Sequence, residues 1–282
     1  EPLKMLDDMR LGHLQPGVKS YNSVVTALGR ARHWAKALHL VRSMQAFGPA
    51  PEYITYSALI GAFEKSREWE LALSCLSEVE GRGFRPNLVL MNAVISACGK
   101  ARSWMHSLAL LSSLPRRALA PDAISYGAAM SGCPAWEQAV ALYGDLLRSG
   151  LTPSVIECAS LVGVCARGQQ WQQAVCAFAE LGRLHLKPDL VAHSAVINAF
   201  ALGGKWEMAL QALDGLRQGL LKPDLIAYNA SISACEKGSE WEHACRLYGS
   251  LVTERVEPDL VTYMTLVSAC NKRGQWPHAL QL

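Results

Sequence analysis

Nine cysteines and eight histidines are the residues of this 282-residue chain best equipped for chemistry. Their spacing argues against it. There is no C-x-x-C pair, the cysteine count is odd, and a chain this long does not need covalent staples. His243 and Cys245 stand two apart on one helical stretch, a poor chelating geometry. The phosphate-cradling G-x-x-x-x-G-K-[ST], the G-x-S-x-G elbow and H-E-x-x-H are missing, as is the H-x-E…C-x-x-C zinc deaminase signature. The expectation is a protein with no catalytic residues, no metal and no cofactor, and therefore not an enzyme.

Composition narrows the class further. Half the residues are apolar, only 18% are charged, and 27 Lys+Arg against 24 Asp+Glu leave a net charge of +3. Disordered tails combine low hydrophobicity with high net charge, so that reading falls. The uncharged stretch 190–204 contains His193, Ser194 and Asn198 and falls short of the roughly 18 apolar residues that a membrane span needs. No membrane association is expected. A charge of +3 does not by itself announce a polyanion binder.

Internal periodicity organises everything else. The eight tryptophans stand at 34, 69, 104, 136, 171, 206, 241 and 276, so every spacing is 35 except one of 32. Prolines at 16, 51, 86, 121, 153, 188, 223 and 258 keep the same rhythm. Counting each repeat from the second residue after its proline gives 18–52, 53–87, 88–122, a shortened 123–154, 155–189, 190–224, 225–259 and a truncated 260–282. Residues 1–17 read as the C-terminal part of a preceding repeat, which suggests a fragment of a longer array.

Within a repeat the apolar period is helical. Tyr56, Leu59, Ile60 and Phe63 follow i, i+3, i+4, i+7, and so do Tyr263, Leu266, Val267 and Cys270. A second such run starts at each tryptophan, as in Trp206, Ala209, Leu210, Leu213 and Leu216. Glycine and proline end it, and the next residue (Asp122, Asp189, Asp224 or Asp259) is placed to cap the following helix. A helical hairpin of this kind cannot bury its own faces. The expected fold is therefore all-α: a right-handed solenoid of stacked hairpins, about sixteen helices in all. Cys98, Cys133, Cys165, Cys235 and Cys270 share one register with Leu28, Phe63 and Phe200 and read as core fillers. The tryptophans read as wedges between hairpins.

Pro258-Asp259-Leu260-Val261-Thr262-Tyr263, Pro223-Asp224-Leu225-Ile226-Ala227-Tyr228-Asn229, the 35-residue period and the recurrent alanines at 37, 72, 139, 174, 209, 244 and 279 resemble the pentatricopeptide repeat. The tetratricopeptide repeat, with its 34-residue unit and different pattern, fits less well. The recurrent tryptophan departs from the usual variety at that place. The resemblance implies binding of single-stranded RNA, one nucleotide per repeat, with bases read by the fifth and last residues of each. Those pairs are Asn22 with Glu52, Ser57 with Asn87, Asn92 with Asp122, Ser194 with Asp224, and Asn229 with Asp259. The family code assigns adenine to Ser57–Asn87, guanine to Ser194–Asp224, and uracil to Asn92–Asp122 and Asn229–Asp259. Gly127 with Ser154, Ala159 with Asp189, and Met264 leave the code, as does Asn22–Glu52. The implied footprint is A-U-x-x-G-U.

Aliphatic residues at the second position (Ile54, Val89, Ile124, Ile156, Val191, Ile226 and Val261) are implied to press on base faces, with Lys19 the exception. Arg30, Lys65, Lys100, Arg167, Lys237 and Lys272 recur at the thirteenth position. They suit both the negative end of a helix and a row of phosphates. Asn92, Ser194 and Asn229 are accordingly expected in a concave groove lined by the first helices, not buried. The 123–154 repeat, where Cys133-Pro134-Ala135-Trp136 lacks three residues, should have a first helix about one turn short and pass its nucleotide unread. Family habit places such proteins in mitochondria or chloroplasts, in RNA processing, stability, editing or translation. A monomer is expected. Protein partners stay open, as do two alternatives: a protein-binding helical scaffold, and the recognition module of a larger RNA-processing enzyme.

Overall fold

A computed structural model describes residues 16–219 and 221–272. The stretches 1–15 and 273–282 lie outside the described residues. The half-repeat read at the N-terminus falls mostly there, and so does the helix expected around Trp276.

Fifteen α-helices follow one another with no strand among the described residues: α1 (Val18–Arg30), α2 (Trp34–Phe47), α3 (Tyr53–Ser66), α4 (Trp69–Gly81), α5 (Leu88–Lys100), α6 (Trp104–Ser113), α7 (Ala123–Ser131), α8 (Trp136–Arg148), α9 (Val155–Arg167), α10 (Trp171–Arg183), α11 (Leu190–Leu202), α12 (Trp206–Gln218), α13 (Leu225–Gly238), α14 (Trp241–Thr253) and α15 (Leu260–Lys272). The fold is an all-α helical-repeat solenoid. None of the described helices is long and apolar enough to cross a membrane.

The chain divides into two compact units, one up to Pro134 and one from Ala135. In the first, the odd-numbered helices α1, α3, α5 and α7 pack on one another in order. The even-numbered α2, α4 and α6 each touch their hairpin partner and the next odd-numbered helix and do not touch one another. In the second unit α9, α11, α13 and α15 pack successively, and α8, α10, α12 and α14 lie outside them. Because the odd-numbered helices touch one another and the even-numbered ones do not, each unit curves with its odd-numbered helices on the inner side.

The core explains the periodicity. Tyr56, Leu59, Ile60 and Phe63 of α3 are at most 2% exposed, and Tyr228, Ile232 and Cys235 of α13 are fully covered. Each such side chain contributes roughly 1.5–3 kcal/mol by leaving water. The five cysteines of the shared register are buried, and none of them forms a disulfide. Burial pushes the pKa of the Cys98, Cys165 and Cys235 thiols up to about 11, so they stay protonated and inert.

Tryptophans do join neighbouring hairpins. Trp34 meets Phe63 at 6.4 Å and Trp171 meets Phe200 at 6.3 Å between ring centroids. Trp206 lies so close to Gly238 that a Cβ there would sit 2.4 Å from the indole.

Helix starts follow the capping logic. The carboxylates of Asp122, Asp189 and Asp224 accept from the backbone N–H three residues on, each at 2.8 Å. Asn87 does the same for Leu90 at 2.9 Å. Helix α7 has nine residues where the other odd-numbered helices have thirteen or fourteen. It stops before Gly132-Cys133-Pro134, where Pro134 lacks the N–H to continue it. Gly132 also lies against Gly99 of α5, with space for no Cβ: one would stand 2.6 Å from the Gly99 Cα.

Candidate nucleic-acid interface

The inner face of each unit carries a column of exposed aliphatic side chains. Ile54, Val89 and Ile124 in the first unit, and Ile156, Val191, Ile226 and Val261 in the second, are each more than half exposed. Large apolar residues are the most often buried, so this register is unusual. These residues sit at the second position of a helix, two residues after the cap, and the third position turns inward. Lys19, the departure, occupies the same place on α1 and is likewise exposed.

Between two of these prongs the surface opens. Val191, Ser194, Ala195 and Asn198 of α11 and Ile226, Asn229, Ala230 and Ser233 of α13, with Asp224, line a concavity of about 540 Å³. Apolar walls with a few convergent polar groups are the usual make-up of a ligand site. A shallower concavity of about 510 Å³ lies along α1 beside Asn22, Ser23, Thr26, Ala27 and Arg30.

Three of the five fifth-and-last pairs are joined directly. Asn92 Nδ2 donates to Asp122 Oδ1 at 3.0 Å and Asn229 Nδ2 to Asp259 Oδ1 at 3.1 Å. Ser194 Oγ donates to Asp224 Oδ1 at 3.4 Å. The other two pairs differ. Asn87 spends its oxygen on Leu90, with Ser57 half-buried nearby in the register. Glu52 turns to cap its own helix with Thr55, and Asn22 Oδ1 is buried without a hydrogen-bond partner. Gly127 is buried, Ser154 and Asp189 cap α9 and α11, Ala159 is half-buried, and Met264 is exposed.

The exposure of the reader residues departs from expectation. Asn92 is 8% exposed and Ser194 7%, while Asn229 is half-buried. The reason is the hydrogen bonding just described: each polar tip folds onto the carboxylate at the head of the next inner helix. Ser194 still borders the 540 Å³ concavity, together with Asn229 and Asp224.

The Asp259 carboxylate is electrostatically prepared. Hydrogen bonds from the Thr262 backbone N–H and from the Asn229 amide hold the Asp259 carboxyl below its ordinary value. A depressed carboxylate keeps its charge as pH falls through the ordinary range, so its contribution is full at neutral pH and declines as pH falls from the ordinary carboxylate value through the lowered pKa.

The cationic row is real but unequal. Arg30, Lys65, Lys100, Arg167, Lys237 and Lys272 are all exposed. Lys100 pairs with Glu64 of the preceding inner helix at 2.7 Å, and Lys272 with Glu236 at 2.9 Å. Ser96 and Ser268 donate to the same two carboxylates, at 2.8 and 2.7 Å. Burial raises the Glu236 pKa, but the Ser268 and Lys272 hydrogen bonds and the Lys272 charge outweigh it, leaving it lowered. Lys100 and Lys272 are thus clasps between neighbouring inner helices. Sequence reasoning missed this, because the partner lies 36 residues upstream. It also missed Ser125 and Thr262.

Residues 4–66, 39–101, 141–201 and 176–237 match the pentatricopeptide repeat domain model, and residues 223–272 match the PPR repeat family model. Together they cover well over half the chain. Among solved structures, the pentatricopeptide repeat protein PPR10 in complex with an 18-nt psaJ RNA element is similar with a TM-score of 0.80 and 22% identity. That match covers 99% of this chain and 42% of PPR10, so the chain spans about two fifths of that protein's length. The same protein from maize matches with a TM-score of 0.54 and 19% identity over 99% of this chain and 50% of that one. No curated protein matches.

Proposed function

We propose that this chain, which belongs to the pentatricopeptide repeat family, binds single-stranded RNA sequence-selectively, one nucleotide for each of its repeats. The observation that carries the reading is the 540 Å³ concavity flanked by Val191 and Ile226 and edged by Ser194, Asn229 and Asp224. A base is flat and apolar on both faces and polar at its edge. Aliphatic prongs, each 66% exposed, suit the faces; hydroxyl, amide and carboxylate groups suit the edge. The similarity to PPR10, which is known in complex with RNA, supports the same reading. Base reading is then assigned to Ser57–Asn87, Asn92–Asp122, Ser194–Asp224 and Asn229–Asp259, with Asn22–Glu52 a weak discriminator. The burial of Asn92 and Ser194 leaves most of the weight on Asn229, half-buried beside the concavity. The biological setting that follows is organellar RNA processing, stability, editing or translation, with the repeats recognising and not catalysing.

The test is selection of binders from randomised single-stranded RNA. Enrichment of a motif with G-U at the steps of Ser194 and Asn229 is the expected outcome. No enrichment over duplex or random sequence would turn the reading toward a protein-binding scaffold. Three variants sharpen it. Asn229→Thr should move preference at one nucleotide from uracil toward guanine, and an unchanged preference would mean that this pair does not read.

Lys65→Glu combined with Lys237→Glu should weaken every sequence alike and flatten the salt dependence by about 0.7 in slope for each phosphate no longer neutralised. Lys100→Glu, made at a clasp, should instead lower the unfolding midpoint. A salt slope that stays fixed in the Lys65/Lys237 variant would remove these two side chains from the phosphate path.

A further inference from the structure

The joined asparagines have a third partner. Ser125 Oγ donates to Asn92 Oδ1 at 2.6 Å, and Thr262 Oγ1 to Asn229 Oδ1 at 2.7 Å. Both hydroxyls are fully buried. Each sits at the third position of the next inner helix, 33 residues beyond the asparagine it touches.

We infer that Ser125 and Thr262 are positioning residues for base selection by the preceding repeat, an inference that rests on the RNA-binding reading. The hydroxyl has one hydrogen and two nearby acceptors. Asp259 Oδ1 already takes the Thr262 backbone N–H at 2.9 Å and the Asn229 amide at 3.1 Å. The hydrogen is therefore better spent on Asn229 Oδ1. With its oxygen held by a donor and its nitrogen held by a carboxylate, the amide resists turning over: a flip would set oxygen against carboxylate and take from the hydroxyl its amide acceptor, turning its hydrogen onto the already doubly bonded Asp259 Oδ1. The locked amide presents its second N–H outward. It offers a donor, which fits a base edge with an acceptor and not one with an amino group. Freed, the same asparagine could offer either atom.

The sequence carries a matching pattern. Asn92 and Asn229 are followed at this register by Ser125 and Thr262, and Asn22 by Thr55. Ser57 and Ser194 are followed by Leu90 and Ala227. A serine hydroxyl rotates to suit either role and has no amide to lock, so an apolar residue serves there. At Asn22 the last residue is Glu52, not aspartate; Thr55 accepts from the Glu52 backbone at 3.2 Å and Asn22 Oδ1 is left without a partner. The complete lock thus needs all three groups.

The experiment measures binding of the full chain to RNAs of the selected sequence that differ only at the nucleotide facing Asn229. Thr262→Val keeps shape and burial but removes the hydroxyl. The preference for uracil over cytosine, which carries an amino group where uracil has an acceptor, should fall by about tenfold. Binding at the other nucleotides should keep its preferences. Thr262→Ser should restore the wild-type ratio, and Ser125→Ala should repeat the effect at the nucleotide facing Asn92. Thermal unfolding of each variant separates this from a helix-cap defect, because such a defect lowers stability without changing the ratio at one nucleotide. Retained RNA binding with unaltered uracil-over-cytosine ratios in both Thr262→Val and Ser125→Ala overturns the inference. Absence of RNA binding by the wild-type chain overturns the function reading itself.

Discussion

Gly132→Ala should destabilise the first compact unit by about 3 kcal/mol, the upper end of what overpacking costs. The added Cβ would stand 2.6 Å from the Gly99 Cα and 3.0 Å from the Gly99 carbonyl oxygen. Both neighbours are backbone, so no rotamer change relieves the clash, and α5 and α7 must move apart. Gly99 is equally committed, since a Cβ there would meet the Ala128 carbonyl oxygen at 2.5 Å. Gly215→Ala and Gly249→Ala provide the contrast. Those glycines lie within α12 and α14, where an added Cβ would find nothing inside 4 Å. Alanine there should raise stability by roughly 0.5–1 kcal/mol by restricting the unfolded chain and favouring helix. Urea unfolding followed by circular dichroism checks all three. A Gly132→Ala midpoint at or above wild type would mean that the two helices are not held this close.

Val191→Ser combined with Ile226→Ser should cut RNA affinity by roughly 10- to 100-fold, the scale of removing one stacked base worth 1–3 kcal/mol. Both side chains are 66% exposed, so removing them costs little core energy and the unfolding midpoint should hardly change. That separation of binding from folding is the strength of the test. The loss should appear chiefly at the nucleotide between the two prongs and be only weakly salt-sensitive, unlike the loss caused by charge reversal at Lys65 and Lys237. Equal affinity in the double variant would mean that these prongs do not touch RNA.

Much of the architecture was legible because it is periodic and local. A 35-residue rhythm of proline and tryptophan, an i, i+3, i+4, i+7 stripe and an aspartate one residue after proline are each set by interactions within a few residues of chain. They define the all-α class, the hairpins, the caps and the shortened α7 around Pro134. The exposed second-position prongs belong to the same group, since their register relative to the cap decides which way they face.

What only the tertiary structure decided lies where successive inner helices meet. The Glu64–Lys100 and Glu236–Lys272 clasps, the Gly99–Gly132 approach and the hydroxyl locks on Asn92 and Asn229 each join residues more than thirty positions apart. A cation at the end of a helix looks the same in sequence whether a carboxylate or open solvent faces it. An asparagine near a helix start likewise gives no sign of which way its amide is turned. Those properties depend on how far one helix is displaced along its neighbour, a packing variable set by the whole buried face and by no single residue along the chain.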